Sequence, residues 1–552
     1  MNSTKINSKK INNYFLAILS GAALVLAFPP MPFFLLALIA FIPIFIILNN
    51  KEETKKFRYI YLTFFIYHLG TNYWISSWQE TTDPYLFWSG IILDFVHPFF
   101  FFVPFVIYNL LRKIIDKQTL LYFFPLIWVT FEWLHSLGDL GYPWLTVAFT
   151  QFNNYYWFQV VDIAGIWGAS LLILYINVFF YKILEEIMKT DKKTLNSTIL
   201  KNIAIIILML LLPTTYGFFI TKKFDYEKEI KENKKIKIGL IQPNIDPWDK
   251  WEKNNLEQIK LHFILQDSIS KKHPDINLFI WNETAIPAIS ISINRDLQFD
   301  FIQYQLKKNN AALLTGFAQY EFLNKTDENL PATARPFPFD TSQLFCSYNS
   351  AILLTPNTND TLQIYHKQRL TPFAEGIPFV EYLGFAQKFL TWDVGISTWE
   401  KGKEIKNFNL NIENKNIAIA PIICIESIFP DFVRKFVQQG AEIITIITND
   451  AWYNYTFGPR QHYMIAATRA IENRRYIARC ANSGVTGFIS PTGKTIECAE
   501  PYQTTAITKT IPALKEKTLY TTYGDFLPKT CTLIILITAI IMLFLRKKQV
   551  KI

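Results

Sequence analysis

The sequence predicts a membrane-embedded protein that carries one large α/β domain between apolar ends. Three observations predict it. Half of the 552 residues are hydrophobic and 16% are aromatic, which is too apolar for an ordinary soluble multidomain chain. Long tracts near the start are almost free of charge, whereas the middle is rich in Lys, Glu, Asp and Asn. In that middle, short β-branched runs alternate with amphipathic segments, the pattern of strands and helices in turn.

Apolar tracts able to cross a hydrocarbon core of about 30 Å lie near 13–30, 32–49, 58–78, 87–111, 119–135, 157–184 and 199–220. An eighth lies near 530–545. The first follows Lys5, Lys9 and Lys10 as a signal peptide would, but it ends in "AFPPMPFF" without a small-residue cleavage site, so it reads as a membrane helix. Basic residues collect in alternate connections: Lys9 and Lys10, "KEETKK" at 51–56, Arg112 with Lys113 and Lys117, and "KTDKK". The opposite connections, "QETTDP" and "GDLGYPWL", carry almost none, so the basic side is expected to be cytoplasmic. The closing "RKKQVKI" is basic too, and both termini are expected inside. The expected division is a transmembrane helix domain at 1–221, an extracytoplasmic domain at 222–528, and a last helix with a basic tail at 529–552.

Within the middle tract, strands are expected at 235–244, 276–284, 311–320, 350–356, 417–424 and 441–450, and helices at 255–270 and 460–476. The segment "SIFPDFVRKFVQQG" reads as a helix stopped by Gly440. The run "GVTGFISPTGKTIECAE" reads as a hairpin turning at Pro491 to Gly493. The proline-bearing stretch 322–346 reads as a polar surface excursion.

Three strand ends carry reactive groups. Glu283 closes "LFIWNE", Lys367 follows "QIYH", and Cys424 closes "APIIC". A thiol of pKa about 8.5 needs a base or a positive field to act as a nucleophile. An acid can shuttle its proton, and an amine can hold charge on a carbonyl oxygen, so the trio suits acyl transfer. The plainer alternatives are a buried structural thiol and an exposed Glu–Lys pair worth about 0–1 kcal/mol. For Glu375 and Glu426 the plainer alternative is solvation or helix capping, and for Asn449 with Asp450 it is a simple turn. The five cysteines show no metal-ligand spacing and no CxxC pair, so neither zinc nor a disulfide framework is indicated, and no cofactor is expected. Inside the membrane tract Asp94, His97, Glu132 and Asp162 are candidates for function. Glu132 reads as a structural partner near the outer face or a head-group contact, and Asp94 and His97 as partners of each other.

The motifs "WNETAIP", "HKQRLTPFAEGIPF", "ICIES", "NDAWY" and "GPRQH", with "TNYWI", "FEWLHS" and "GYPWL" in the membrane part, resemble the apolipoprotein N-acyltransferases of the nitrilase superfamily. The resemblance runs in order over nearly the whole chain. It implies an αββα sandwich in the 222–528 domain, with Glu283 as general base, Lys367 stabilising the tetrahedral intermediate and Cys424 as nucleophile. Glu375, Glu426, Trp452 and Trp251, the last on a mobile arm, would support them. It further implies a phospholipid acyl donor, a diacylglyceryl apolipoprotein acceptor, a bacterial inner membrane with the catalytic domain on the periplasmic side, a monomer, and no nucleic-acid partner. Two positions depart from the family pattern: Ile425 stands where Tyr is usual, and Ala374 where Gly is usual.

Membrane helices fit such a reaction physically, because exposing a chain of about sixteen carbons to water would cost on the order of 12 kcal/mol. Trp248, Trp251, Phe379, Tyr382 and Phe385 are expected to form an apolar wall near the site. The competing readings are a membrane-tethered amide hydrolase of the same superfamily and a non-enzymatic transporter or scaffold. Transport predicts paired broken helices, and the spans show no convincing repeat.

Overall fold

The computed structural model describes residues 12–50, 53–77, 84–189, 196–248, 250, 254–289, 297–326, 330–337, 340–356, 362–380 and 399–549. Helices occupy every apolar tract expected from the sequence. Leu86–Leu111, Val161–Lys189, Ser197–Thr221 and Phe526–Phe544 are long and apolar enough to cross a membrane, and Asn13–Ala27 and Phe34–Asn49 are shorter apolar helices. Lys56–Asn72 and Lys117–His135 complete the set. The helix Val161–Lys189 kinks at Ala164 and Gly165, where Gly165 takes φ +65° with the ring of Tyr520 against it.

The middle of the chain supplies fourteen strands among the described residues. They are β1 (Lys234–Gln242), β2 (Leu278–Ile280), β3 (Ile286–Ile289), β4 (Ala312–Leu323), β5 (Arg335–Phe337), β6 (Asp340–Leu354), β7 (Gln363–His366), β8 (Phe408–Ile412), β9 (Lys415–Ile423), β10 (Ile443–Thr448), β11 (Ile477–Ala481), β12 (Gly487–Ile489), β13 (Thr495–Cys498) and β14 (Thr505–Ala513). One sheet runs β14-β1-β2-β4-β6-β5, with β3 on β4 and β7 on β6, and the other runs β13-β12-β11-β10-β9-β8. The parallel trio β9, β10 and β11 is buried and mostly apolar on both faces, as a sheet covered on both sides requires.

Alternation along the strands builds the layers. Ile236, Ile238 and Leu240 of β1 join Leu278, Ile280, Leu314 and Leu353 in the core shared with the second sheet. Their neighbours Ile241, Phe279, Leu313 and Ile352 turn the other way, onto Ile259 and Phe263 of the helix Asn255–Ser270 and Ile302 and Leu306 of Leu297–Asn309. The helices Pro430–Gln438 and Gly458–Asn473 cover the second sheet through Val433, Phe436, Ala466 and Ala470. This is the expected helix–sheet–sheet–helix sandwich. Gly440 at φ +102° ends the first of these helices, and Gly493 at φ +80° makes the hairpin turn.

The stretch 322–346 differs from its expected form. It stays largely exposed, but its ends extend the ladder of β4 and β6, paired from Leu313 with Leu354 to Leu323 with Leu344, and β5 adds an edge.

The helical bundle and the sandwich are joined by buried side chains. Gln461 accepts the indole N–H groups of Trp74 (3.1 Å) and Trp144 (2.9 Å) and donates to the carbonyls of Pro29 (3.1 Å) and Thr71 (3.2 Å). The motifs "TNYWI", "GYPWL" and "GPRQH" therefore meet at one amide. Arg474 holds Asp162 at 2.7 Å, and Tyr216 donates to the same carboxylate. Asp525, just before the last helix, accepts from Trp133, Trp167 and Tyr520.

Candidate active site

Cys424 directly follows β9 and opens the 3-10 turn Cys424–Ile428. Its φ of +51° is a left-handed conformation that costs an L-residue roughly 1–2 kcal/mol, so the surrounding structure must hold it. Glu283 follows β2, and Lys367 follows β7. All three line one cavity of about 140 Å³, with Trp248, Asn349, Glu375, Asn449, Trp452, Tyr453 and, from the membrane helix Pro84–Val96, Leu86.

The Lys367 ammonium, 1% exposed, lies 2.8 Å from an oxygen of Glu283 and 2.8 Å from an oxygen of Glu375. Asn349 donates its amide to the same two oxygens at 2.8 Å each. The backbone N–H of Asn449 donates to the other oxygen of Glu283 (3.1 Å), and that of Thr371 to the other oxygen of Glu375 (2.8 Å). Burial would lower the Lys367 pKa, but the two carboxylates more than offset it and hold the group charged. Burial likewise works against Glu375, and Lys367 outweighs it, holding that carboxyl below its usual range. Burial and the charge of Glu283 push the Cys424 thiol well up, against the pull of Lys367. The resting thiol is therefore protonated, and an attack by sulfur needs a base at hand.

Glu426 does not face the cavity. Fully buried, it accepts from the Tyr365 hydroxyl (2.6 Å), the backbone N–H of Gln368 (2.7 Å) and that of Arg369 (3.3 Å) with one oxygen, and from the N–H of Ile423 (2.9 Å) with the other. It ties the loop after Lys367 to the strand end before Cys424, and burial pushes its carboxyl up to about 7. Trp452 lines the cavity, its ring 4.9 Å from that of Trp248. Phe379 is exposed, and its N–H bonds Asp139 of the connection after the helix Lys117–His135. Trp251, Tyr382 and Phe385 lie outside the described residues.

Sequence reasoning assigned no role to four contributors. Asn349, a lone amide in the apolar strand "SYNSAILL", was the readable signal for a buried polar role. Lys250, 1% exposed, donates to the Glu283 carbonyl (3.0 Å) and the Thr284 hydroxyl (2.6 Å). Asp450 is no simple turn residue. It accepts from Arg479 (2.7 Å) and meets His462 at 2.9 Å. His462 in turn reaches the Ser427 hydroxyl (2.9 Å) and the carbonyl of Cys424 (3.2 Å). In the membrane tract, Asp94 and His97 do not pair as expected. His97 meets His68 at 2.6 Å, while among the described residues both Asp94 oxygens lack a hydrogen-bond partner. Glu132 accepts from Trp128 and from the Val147 N–H.

Residues 20–179 match the family model of the apolipoprotein N-acyltransferase N-terminal domain, and 237–516 match that of carbon-nitrogen hydrolases. An apolipoprotein N-acyltransferase of Chlorobaculum tepidum is 31% identical, covering 94% of this chain and 94% of its own. The chain belongs to the apolipoprotein N-acyltransferase family. Apolipoprotein N-acyltransferase 1 of Treponema denticola is 30% identical over 98% of both chains, and the Geobacter metallireducens relative is 28% identical over 94% of this chain and 93% of its own. As a member of this family the chain is a membrane-associated acyltransferase of lipoprotein biosynthesis, with a nitrilase-superfamily fold in its C-terminal part and apolar helices at both ends.

Proposed function

We propose that this acyltransferase works in two half-reactions through a thioester on Cys424, with Glu283, Lys367 and Cys424 as the catalytic triad. The observation that carries the reading is the single cavity lined by those three side chains and by Leu86 of a membrane helix. In the first half, the Cys424 sulfur attacks the ester carbonyl of a membrane phospholipid while Glu283 takes the thiol proton. Lys367 stabilises the charge on the carbonyl oxygen. Glu283 then returns the proton to the departing glycerol oxygen, releasing a lysophospholipid. In the second half, the free α-amine of a diacylglyceryl-cysteine lipoprotein attacks the thioester, Glu283 takes a proton from the amine, and the thiol is restored as the amide forms.

Glu375 keeps Lys367 charged and placed, Trp452 shapes the apolar side of the cavity, and Trp251 supports the reaction as the family resemblance implies. Glu426 sets the elbow before Cys424. In this reading the chain is a monomer of the bacterial inner membrane with both termini in the cytoplasm. Residues 1–221 and 529–552 hold the 222–528 domain on the periplasmic face. The test uses the purified chain with phospholipid and a diacylglyceryl peptide. Mass spectrometry of the resting enzyme should find a phospholipid-derived acyl group on Cys424, and Cys424→Ala should abolish triacylated product. A Cys424→Ala variant that still forms it would overturn the proposal.

A further inference from the structure

The left-handed Cys424 is the first residue of a short turn, and nothing in its own side chain favours that backbone. What holds it lies underneath. The Cys424 carbonyl receives the Ser427 hydroxyl at 2.8 Å and has His462 Nε2 at 3.2 Å. The same Nε2 is 2.9 Å from the Ser427 oxygen. On its other side, His462 Nδ1 meets Asp450 at 2.9 Å. Asp450 is 2% exposed and bonded to Arg479 at 2.7 Å and to the Thr448 hydroxyl at 3.0 Å. Burial alone would raise the Asp450 pKa, but Arg479 and then His462 hold it well below the usual range, so it accepts and does not donate. Arg479 also comes within 3.1 Å of Nδ1, with its shorter contact directed to the carboxylate.

A carbonyl oxygen faces Nε2, so a lone pair there would set acceptor against acceptor, whereas an N–H serves the carbonyl and the Ser427 oxygen together. The peptide that follows Cys424 is planar, and its C=O and N–H point to opposite sides. Pinning the carbonyl downward turns the Ile425 N–H the other way. Ile425 also stands in the first turn of its helix, where N–H groups have no intrahelical partner.

We infer that His462, oriented by Asp450 and Arg479 and bridged by Ser427, is a positioning residue that aims the Ile425 N–H at the oxyanion formed on the Cys424-bound carbonyl. The inference rests on Cys424 being the nucleophile. It also gives Ile425 a role that needs no phenol, because the donor is the backbone.

Two readouts on the full-length enzyme test it: steady-state acyl transfer, and alkylation of Cys424 by iodoacetamide followed by site-specific mass spectrometry. Alkylation uses the thiol but develops no oxyanion. His462→Leu should lower kcat by about 100- to 1,000-fold, as for loss of an oxyanion donor, with KM and the alkylation rate changed by less than about threefold. His462→Gln, which can keep an N–H near the Nε2 position, should recover most of that kcat. Ser427→Ala, losing one neutral hydrogen bond, should cost about tenfold in kcat, and it carries the test should His462→Leu not fold. A kcat within threefold of the parent in both His462→Leu and Ser427→Ala overturns the inference. So does a parallel collapse of alkylation and acyl transfer, which would mark a merely structural role. Failure of the nucleophile reading is separate: the unsubstituted enzyme would then carry no acyl group on Cys424.

Discussion

Replacing Lys367 with Met removes a cation that holds two carboxylates together. The ammonium lies 2.8 Å from each and is 1% exposed. Breaking a buried pair from one side costs about 3–5 kcal/mol, since the remaining charge is left uncompensated. At roughly 2 °C per kcal/mol for a domain of this size, the Tm of the detergent-solubilised chain should fall by about 6–10 °C near pH 8. A pH signature separates this cost from ordinary packing loss. In the native chain the Lys367 pKa is raised, so its contribution is complete below 10.5 and is lost only as pH rises through the folded value. The Glu375 pKa is lowered, so its contribution is present above 4.5 and is lost as pH falls through the folded value. Between those limits the cluster adds no slope to stability. In Lys367→Met a carboxylate without its cation takes a raised pKa, and the variant should regain stability as pH falls from about 8 to about 5. A Tm drop under about 2 °C, or a difference from the parent that stays constant across that range, would refute the argument.

Two further outcomes follow from other buried groups. Gln461→Leu deletes four hydrogen bonds and leaves two indole N–H groups buried and unpaired, so the chain should lose about 3 kcal/mol. Hydrogen exchange should rise first at 71–77 and 143–147, the segments docked on that amide. Burial pushes Lys250 down to about 7, with Glu283 pulling the other way. Its folded value lies below the unfolded 10.5, so the docked segment gains stability as pH rises through about 7 toward 10.5. Proteolytic cleavage within 244–254, normalised to a free peptide of that sequence, should be faster below the window than above it, and Lys250→Met should erase the difference.

The fold was largely readable because its signals are local. Each apolar tract is long, the runs at 417–424 and 441–450 are continuous as covered parallel strands must be, and Gly440 and Gly493 mark real turns. Glu283, Lys367 and Cys424 stood out because each follows an apolar strand. The roles of Lys250 and of the Asp450–His462 pair did not, because they are set by partners on other elements, and Asn349 left only the trace of a lone amide in an apolar strand. Glu426 shows the limit from the other side. Two residues after Cys424, it could be read as a site residue, but only the turn geometry aims its carboxylate backward into four donors and away from the cavity.

Gln461 and His462 are consecutive on the helix Gly458–Asn473, and they look in different directions. One grips the membrane connections at Pro29, Thr71, Trp74 and Trp144, and the other underlies Cys424. A domain tethered by linkers would sample many heights above the lipid. Here the elevation of the thiol is a built dimension, set by Gln461 together with the Arg474–Asp162 pair and Asp525. On the proposed reaction, bilayer thickness then becomes a kinetic variable: a membrane that shifts these helices vertically moves the acyl ester relative to a nucleophile whose own altitude is fixed.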